Sequence, residues 1–92
     1  MKTHLLKTEA RFFEQVSKGN KTAEVRRFDR DFQAGDFLIL EEVVSVGVGL
    51  SMKATGRSFH SAITHVLPSN EFEGIAEGFC LLSMNGGRLF EA

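Results

Sequence analysis

The chain has no tryptophan, no tyrosine, one proline and one cysteine in 92 residues. The lone Cys80 excludes an internal disulfide and any zinc site built from several cysteines, and fits a reducing, cytoplasmic setting. With nine phenylalanines as its aromatics, the chain has no polar aromatic handle, so most rings are expected in the core rather than on a broad stacking platform. No apolar run approaches the ~18 residues of a membrane helix, and Met1-Lys2-Thr3-His4 leads into no secretory segment, so no membrane partner is expected. A large charge of one sign is missing too. A net charge of −1 excludes a bulk duplex binder, which needs many basic residues on one face.

The charge that is there is unevenly placed. Residues 1–30 carry a balance of +4 and residues 31–92 a balance of −5. A basic patch beside an acidic body suits a small anionic ligand or a short single strand; two solvated surfaces of opposite sign are the plainer alternative. Hydrophobic residues at 42% and charged residues at 25% describe an ordinary globular composition, and the length allows one domain over residues 1–92.

His4-Leu5-Leu6 reads as a strand. Thr8 is placed to cap a helix over about 8–18, with Phe12, Phe13 and Val16 on one side and Gly19 as its exit. Residues 22–28 alternate as a strand, with Glu24, Arg26 and Phe28 on one face and Ala23, Val25 and Arg27 on the other. Phe37-Leu38-Ile39-Leu40 reads as a buried strand. Residues 41–52 are ambiguous: valines favour a strand, Gly47 and Gly49 a hairpin tip or bulge. Residues 57–67 and 79–84 supply further strands, and Asn85-Gly86-Gly87 begins a frayed tail in which Leu89 and Phe90 are either a short docking segment or loose. One early helix and about five strands give an α+β class, and closing a curved sheet into a small β-barrel is the economical way to hide strand edges.

The informative stretch runs from Gly19 to Arg26. Lys21 stands at the lip of a turn, and Glu24 and Arg26 project from one face of the following strand, so three ionisable groups of both signs converge. Glu24 can accept from ring N–H or exocyclic amine donors, Arg26 can fork onto a phosphate or carbonyl, and Lys21 supplies a point charge, or a base if desolvated. A plain Glu24–Arg26 surface salt bridge, worth about 1 kcal/mol at most, is the alternative. His4 opens a strand beside this region and is a further candidate contact. His60 and His65 differ by five, which points them to opposite faces of a strand, and no metal or other cofactor is implied. Asp29-Arg30-Asp31 reads as a loop-fixing charge cluster, and Cys80 as an inert core residue.

Gly19-x-Lys21-x-x-Glu24-x-Arg26 resembles the signature of ASCH domains, members of the PUA-like superfamily. His4-x-Leu6-Lys7, Asp29-Arg30-Asp31-Phe32-x-x-Gly35-Asp36 and Gly78-Phe79-Cys80-Leu81-Leu82-Ser83 extend the likeness, over about residues 4–84, to an uncharacterised bacterial and phage branch of that group. The resemblance implies a PUA-like barrel whose cleft is lined by Lys21, Glu24 and Arg26. It also implies a partner that is RNA, a nucleotide or a modified nucleoside. On that reading the basic residues Lys21, Arg26, Arg27 and Arg30 hold backbone or phosphate, and Glu24 reads a base edge. One member type is an amidohydrolase that deacetylates N4-acetylcytidine. Its lysine matches Lys21; its threonine position is held here by Glu24, with Thr22 two residues earlier; and its distant glutamate has no secure counterpart among Glu71, Glu73 and Glu77. Other members are nucleases. A small hydrolase using Lys21 as base and Glu24 as its partner therefore stands beside simple binding. A protein-interaction domain presenting the valine-rich 43–50 segment as an edge strand is the third expectation, and the expected assembly is a monomer or weak homodimer.

Overall fold

The computed structural model describes residues 1–47 and 51–91. Val48 and Gly49 of the valine-rich stretch lie outside those residues. The chain runs β1 (Thr3–Glu9), α1 (Ala10–Ser17), β2 (Ala23–Arg27), β3 (Phe37–Ser45), β4 (Met52–Pro68), a single 3-10 turn (Ser69–Glu71), β5 (Phe79–Met84) and β6 (Arg88–Glu91). The α+β class is as expected, with one helix against a six-stranded sheet ordered β1-β3-β4-β5-β2 and β6 attached to β4.

β1 alternates strictly, with His4, Leu6 and Thr8 buried and their neighbours exposed. This corrects the expected helix start. Thr8 is strand, paired with Glu42 across the parallel β1–β3 ladder, and the helix begins at Ala10 with no side-chain cap. Phe13 and Val16 form the buried stripe of α1 and meet Leu6, Leu38, Leu40 and Leu82 in the core. Gly19, at φ +80°, takes the left-handed turn that ends the helix, so that the amides of Asn20 and Lys21 both return to the Gln15 carbonyl.

The 17-residue β4 is the spine of the fold. Its first part pairs with β3 and β6, and its last part pairs with β5. A register shift in the β3–β4 ladder between Glu41 and Val43 buries Glu42 and Val43 in succession. Glu42 then receives Arg57 through Nε at 2.9 Å and Nη2 at 3.1 Å, and the Thr55 hydroxyl at 2.6 Å. These donors hold the Glu42 carboxyl below the usual carboxylate range, Arg57 being the largest influence.

Four further expectations are corrected. β3 lies between β1 and β4, so Val43 is paired on both sides, with Glu9 and Ala54, rather than at an edge, while Val44 and Ser45 pair with β4 alone. The 37–40 run is buried on one face only: Leu38 and Leu40 are inside, while Phe37 is exposed, because the single helix covers only one side of the sheet. The segment after Gly87 pairs with β4 as a sixth strand. Finally, the barrel is not closed. β1 and β2 are the two ends of the ladder, and among the described residues no backbone pairing joins them.

His4 lies inside, not at a cleft. Its Nε2 is 2.8 Å from Asp36 Oδ2, its ring stands edge-on to Phe32, and it is 5% exposed. Strand alternation turns it to the core face, which corrects its expected ligand role. The hydrogen bond from His4 and those from the Lys2 and Gln33 amides hold the Asp36 carboxyl down at about 2. A carboxyl depressed in the folded state stabilises fully above its ordinary value of about 4, and that contribution disappears as pH falls toward 2. Acid unfolding of the wild type should therefore steepen between about pH 4 and pH 2, and Asp36→Asn should flatten that part of the curve; circular dichroism against pH checks it.

Candidate functional site

The open seam between β1 and β2 is bridged by side chains instead of backbone. The Arg26 guanidinium on β2 donates through Nη1 to the Lys7 carbonyl (2.8 Å) and through Nη2 to Thr8 Oγ1 (2.9 Å) on β1. Arg26 Nε also donates to Glu24 Oε2 at 3.2 Å. Lys21 Nζ donates to the other oxygen, Glu24 Oε1, at 2.8 Å, and to the Ala23 carbonyl. Glu24 is only 5% exposed, so its charge leaves water with a cation on each side.

Lys21, Glu24 and Arg26 therefore gather as expected, and all three line one cavity of about 470 Å³. Lys7, Thr8 and Glu9 form its β1 wall, with Phe12 from the helix and Val25 from β2 as half-exposed apolar surfaces. The volume falls in the range of small-molecule sites, roughly 300–1,000 Å³. The part expected of Glu24 changes. Both oxygens are occupied by protein donors, so the carboxylate holds the two cations in place. The ammonium and the guanidinium have more N–H groups than their protein partners take up, and these are left for a guest.

A second cavity, of about 340 Å³, continues along the seam and shares Lys7 and Arg26 with the first. Arg27 and Arg30 line this one. Arg27 leans on the Phe79 ring at 4.9 Å, and Arg30 reaches toward the Leu5 carbonyl at 3.5 Å. Asp29 and Asp31 tie down the intervening loop, to Arg30 and Lys2 respectively, in keeping with a structural part for that cluster. Cys80 is fully buried and burial pushes its thiol up, as befits an inert core residue.

Thr22 lies away from the first cavity. It lines an adjoining hollow with Gly86 and Gly87, which shares Lys21 with the first cavity, and its carbonyl accepts the Met84 amide at 3.0 Å. The hydroxyl that does face Arg26 is that of Thr8, whose helix-capping chemistry masks its place in the strand. The signal was present in the buried alternation of His4 and Leu6, which Thr8 continues. No helix is long and apolar enough to cross a membrane among the described residues.

Comparison with known proteins finds relatives of this sequence. A stretch of 65 residues is 43% identical to the "Uncharacterized 12.9 kDa protein in GpA 3'region" of Escherichia phage P2, covering 71% of this chain and 54% of that protein. The chain thus spans about half the length of that curated relative. A family model described as "Domain of unknown function (DUF3850)" matches residues 3–84, which takes in β1 to β5 and the whole seam, with β6 lying beyond it. The chain belongs to the DUF3850 family.

Proposed function

We propose that this chain is an RNA- or modified-nucleoside-binding module of PUA-like architecture, acting in a reducing, cytoplasmic setting, with the β1–β2 seam as its binding groove. The observation that carries this reading is the convergence of Lys21, Glu24 and Arg26 on one open cavity with apolar walls. A planar base fits such a site: Phe12 and Val25 offer faces to pack on, and the remaining N–H groups of Lys21 and Arg26 offer donors to carbonyls on its edge. Neutralisation by Glu24 keeps the first cavity from being a bare anion trap. Titrating nucleosides and short single-stranded RNAs into the protein, followed calorimetrically, tests this. Saturable binding in the micromolar to millimolar range is expected; heats no larger than dilution across the panel would remove the reading.

A second reading, hydrolysis of an acylated nucleoside or of RNA, is favoured by one observation. A hydroxyl (Thr8), an amine (Lys21) and a carboxylate (Glu24) line the same cavity. Lys21 Nζ donates to two acceptors, the Ala23 carbonyl and Glu24 Oε1, so in this arrangement it stands as a hydrogen-bond donor. Incubation with acylated cytidines and labelled RNA separates the two readings: turnover that Lys21→Ala abolishes would establish hydrolysis, and no turnover would leave binding alone.

A further inference from the structure

The seam differs in character along its length. The first cavity sets Lys7, Lys21 and Arg26 against two carboxylates, Glu9 and Glu24, and has Phe12, Ala23 and Val25 as apolar lining. The second sets Lys7, Arg26, Arg27 and Arg30 against Asp29 alone. Counting formal charges of these lining residues, the excess is one positive charge in the first and three in the second. Arg26 and Lys7 line both, so the two cavities are consecutive segments of one groove.

We propose that the ligand is a phosphate-bearing nucleotide lying across the Arg26 junction, its base in the first cavity and its phosphate in the second among Arg26, Arg27 and Arg30. The proposal rests on the reading of the first cavity as a nucleoside site and adds the ligand's charge and direction. A neutral, flat base is matched to apolar walls with a few polar groups. A phosphate is matched to guanidinium forks, which can donate in pairs to its oxygens. The opposite placement would set phosphate oxygens beside Glu24 and Glu9, with like-charge repulsion in a partly desolvated hollow. Nothing comparable opposes phosphate in the second cavity, where Asp29 is 3.5 Å from Arg30 and half-exposed.

The source of the phosphate, a free nucleotide or a step of a single strand, shares this chemistry and is separated by choice of probe. Uridine, 5′-UMP, 3′-UMP, the dinucleotide UpU and inorganic phosphate are titrated into the full chain at low and at high salt. At low salt at least one phosphate-bearing uridine probe should bind about tenfold more tightly than uridine, in keeping with charge-assisted hydrogen bonds. Preference for UpU indicates a strand, and preference for a monophosphate indicates a free nucleotide. The advantage should shrink as salt rises. In the Arg27→Ala/Arg30→Ala double variant, which alters exposed side chains and whose fold is checked by thermal melting, the ratio should fall toward one. Equal affinity for uridine and all its phosphorylated forms in the wild type overturns the proposal and leaves the nucleoside site standing. So does an advantage that neither salt nor the double variant reduces. Inorganic phosphate that binds as tightly as UMP overturns the placement of the base. If no probe binds, the underlying reading fails, and this proposal fails with it.

Discussion

Truncating Phe13 to alanine should lower the unfolding free energy by about 3–5 kcal/mol, the cost of removing a fully buried aromatic ring and leaving a cavity. Phe13 has no exposed surface and is the helix's main anchor on the sheet. The Arg57 guanidinium lies 5.2 Å above its ring, so the ring also seats the Arg57–Glu42 pair. For a domain of this size each kcal/mol moves Tm by roughly 4–8 °C, so a fall of more than about 12 °C is expected in a thermal melt. Its neighbour Phe12 provides the contrast. That ring is 38% exposed and lines the first cavity, so Phe12→Ala should cost less than about 1 kcal/mol while weakening ligand binding. Equal losses from the two substitutions would contradict this division between core and site.

The second large effect concerns Arg26. Arg26→Ala removes the hydrogen bonds that hold β2 to β1 across the open seam, and it leaves Glu24 buried with Lys21 as its remaining cation. Breaking a buried ion pair costs about 3–5 kcal/mol; because Arg26 is partly exposed, a loss of about 2 kcal/mol is expected here. Binding should weaken by tenfold or more, since a guanidinium that lines both cavities is gone. Arg26→Lys should restore little, because an ammonium cannot reach the Lys7 carbonyl, Thr8 and Glu24 together in the planar geometry of a guanidinium. Lys21→Ala should weaken binding with a smaller loss of stability, because Lys21 bridges no strands. Denaturant unfolding and calorimetric titration of the three variants measure both quantities.

Much of this was legible in the sequence, and the reasons are local. Phe13 and Val16 at helical spacing, Gly19 at the helix exit and alternation through Glu24 and Arg26 are short-range patterns, and they put the charged trio on one face. The misreadings arose where a longer-range partner decided the outcome. Thr8 is a good helix cap in isolation, yet pairing with Glu42 on β3 and the hydrogen bond from Arg26 keep it in the strand. His4 looked like a cleft residue until Asp36, 32 positions away, gave it a buried partner. The tail after Gly87 has no strong strand signal of its own, and it is ordered by lying against residues 57–60 of β4. Closure of the barrel depends on whether β1 and β2 meet backbone to backbone, which no local pattern encodes. Here arginine side chains fill the gap, and the groove exists because they do so incompletely.

Chemical-shift mapping with a short single-stranded RNA tests the central claim most directly. If the β1–β2 seam is the binding groove, the amides of residues 7–12 and 21–27 should shift in a saturable way, and those on the outer face of β3, β4 and β6 should stay still. Saturable shifts confined to that outer face, with the seam unmoved, would contradict the account.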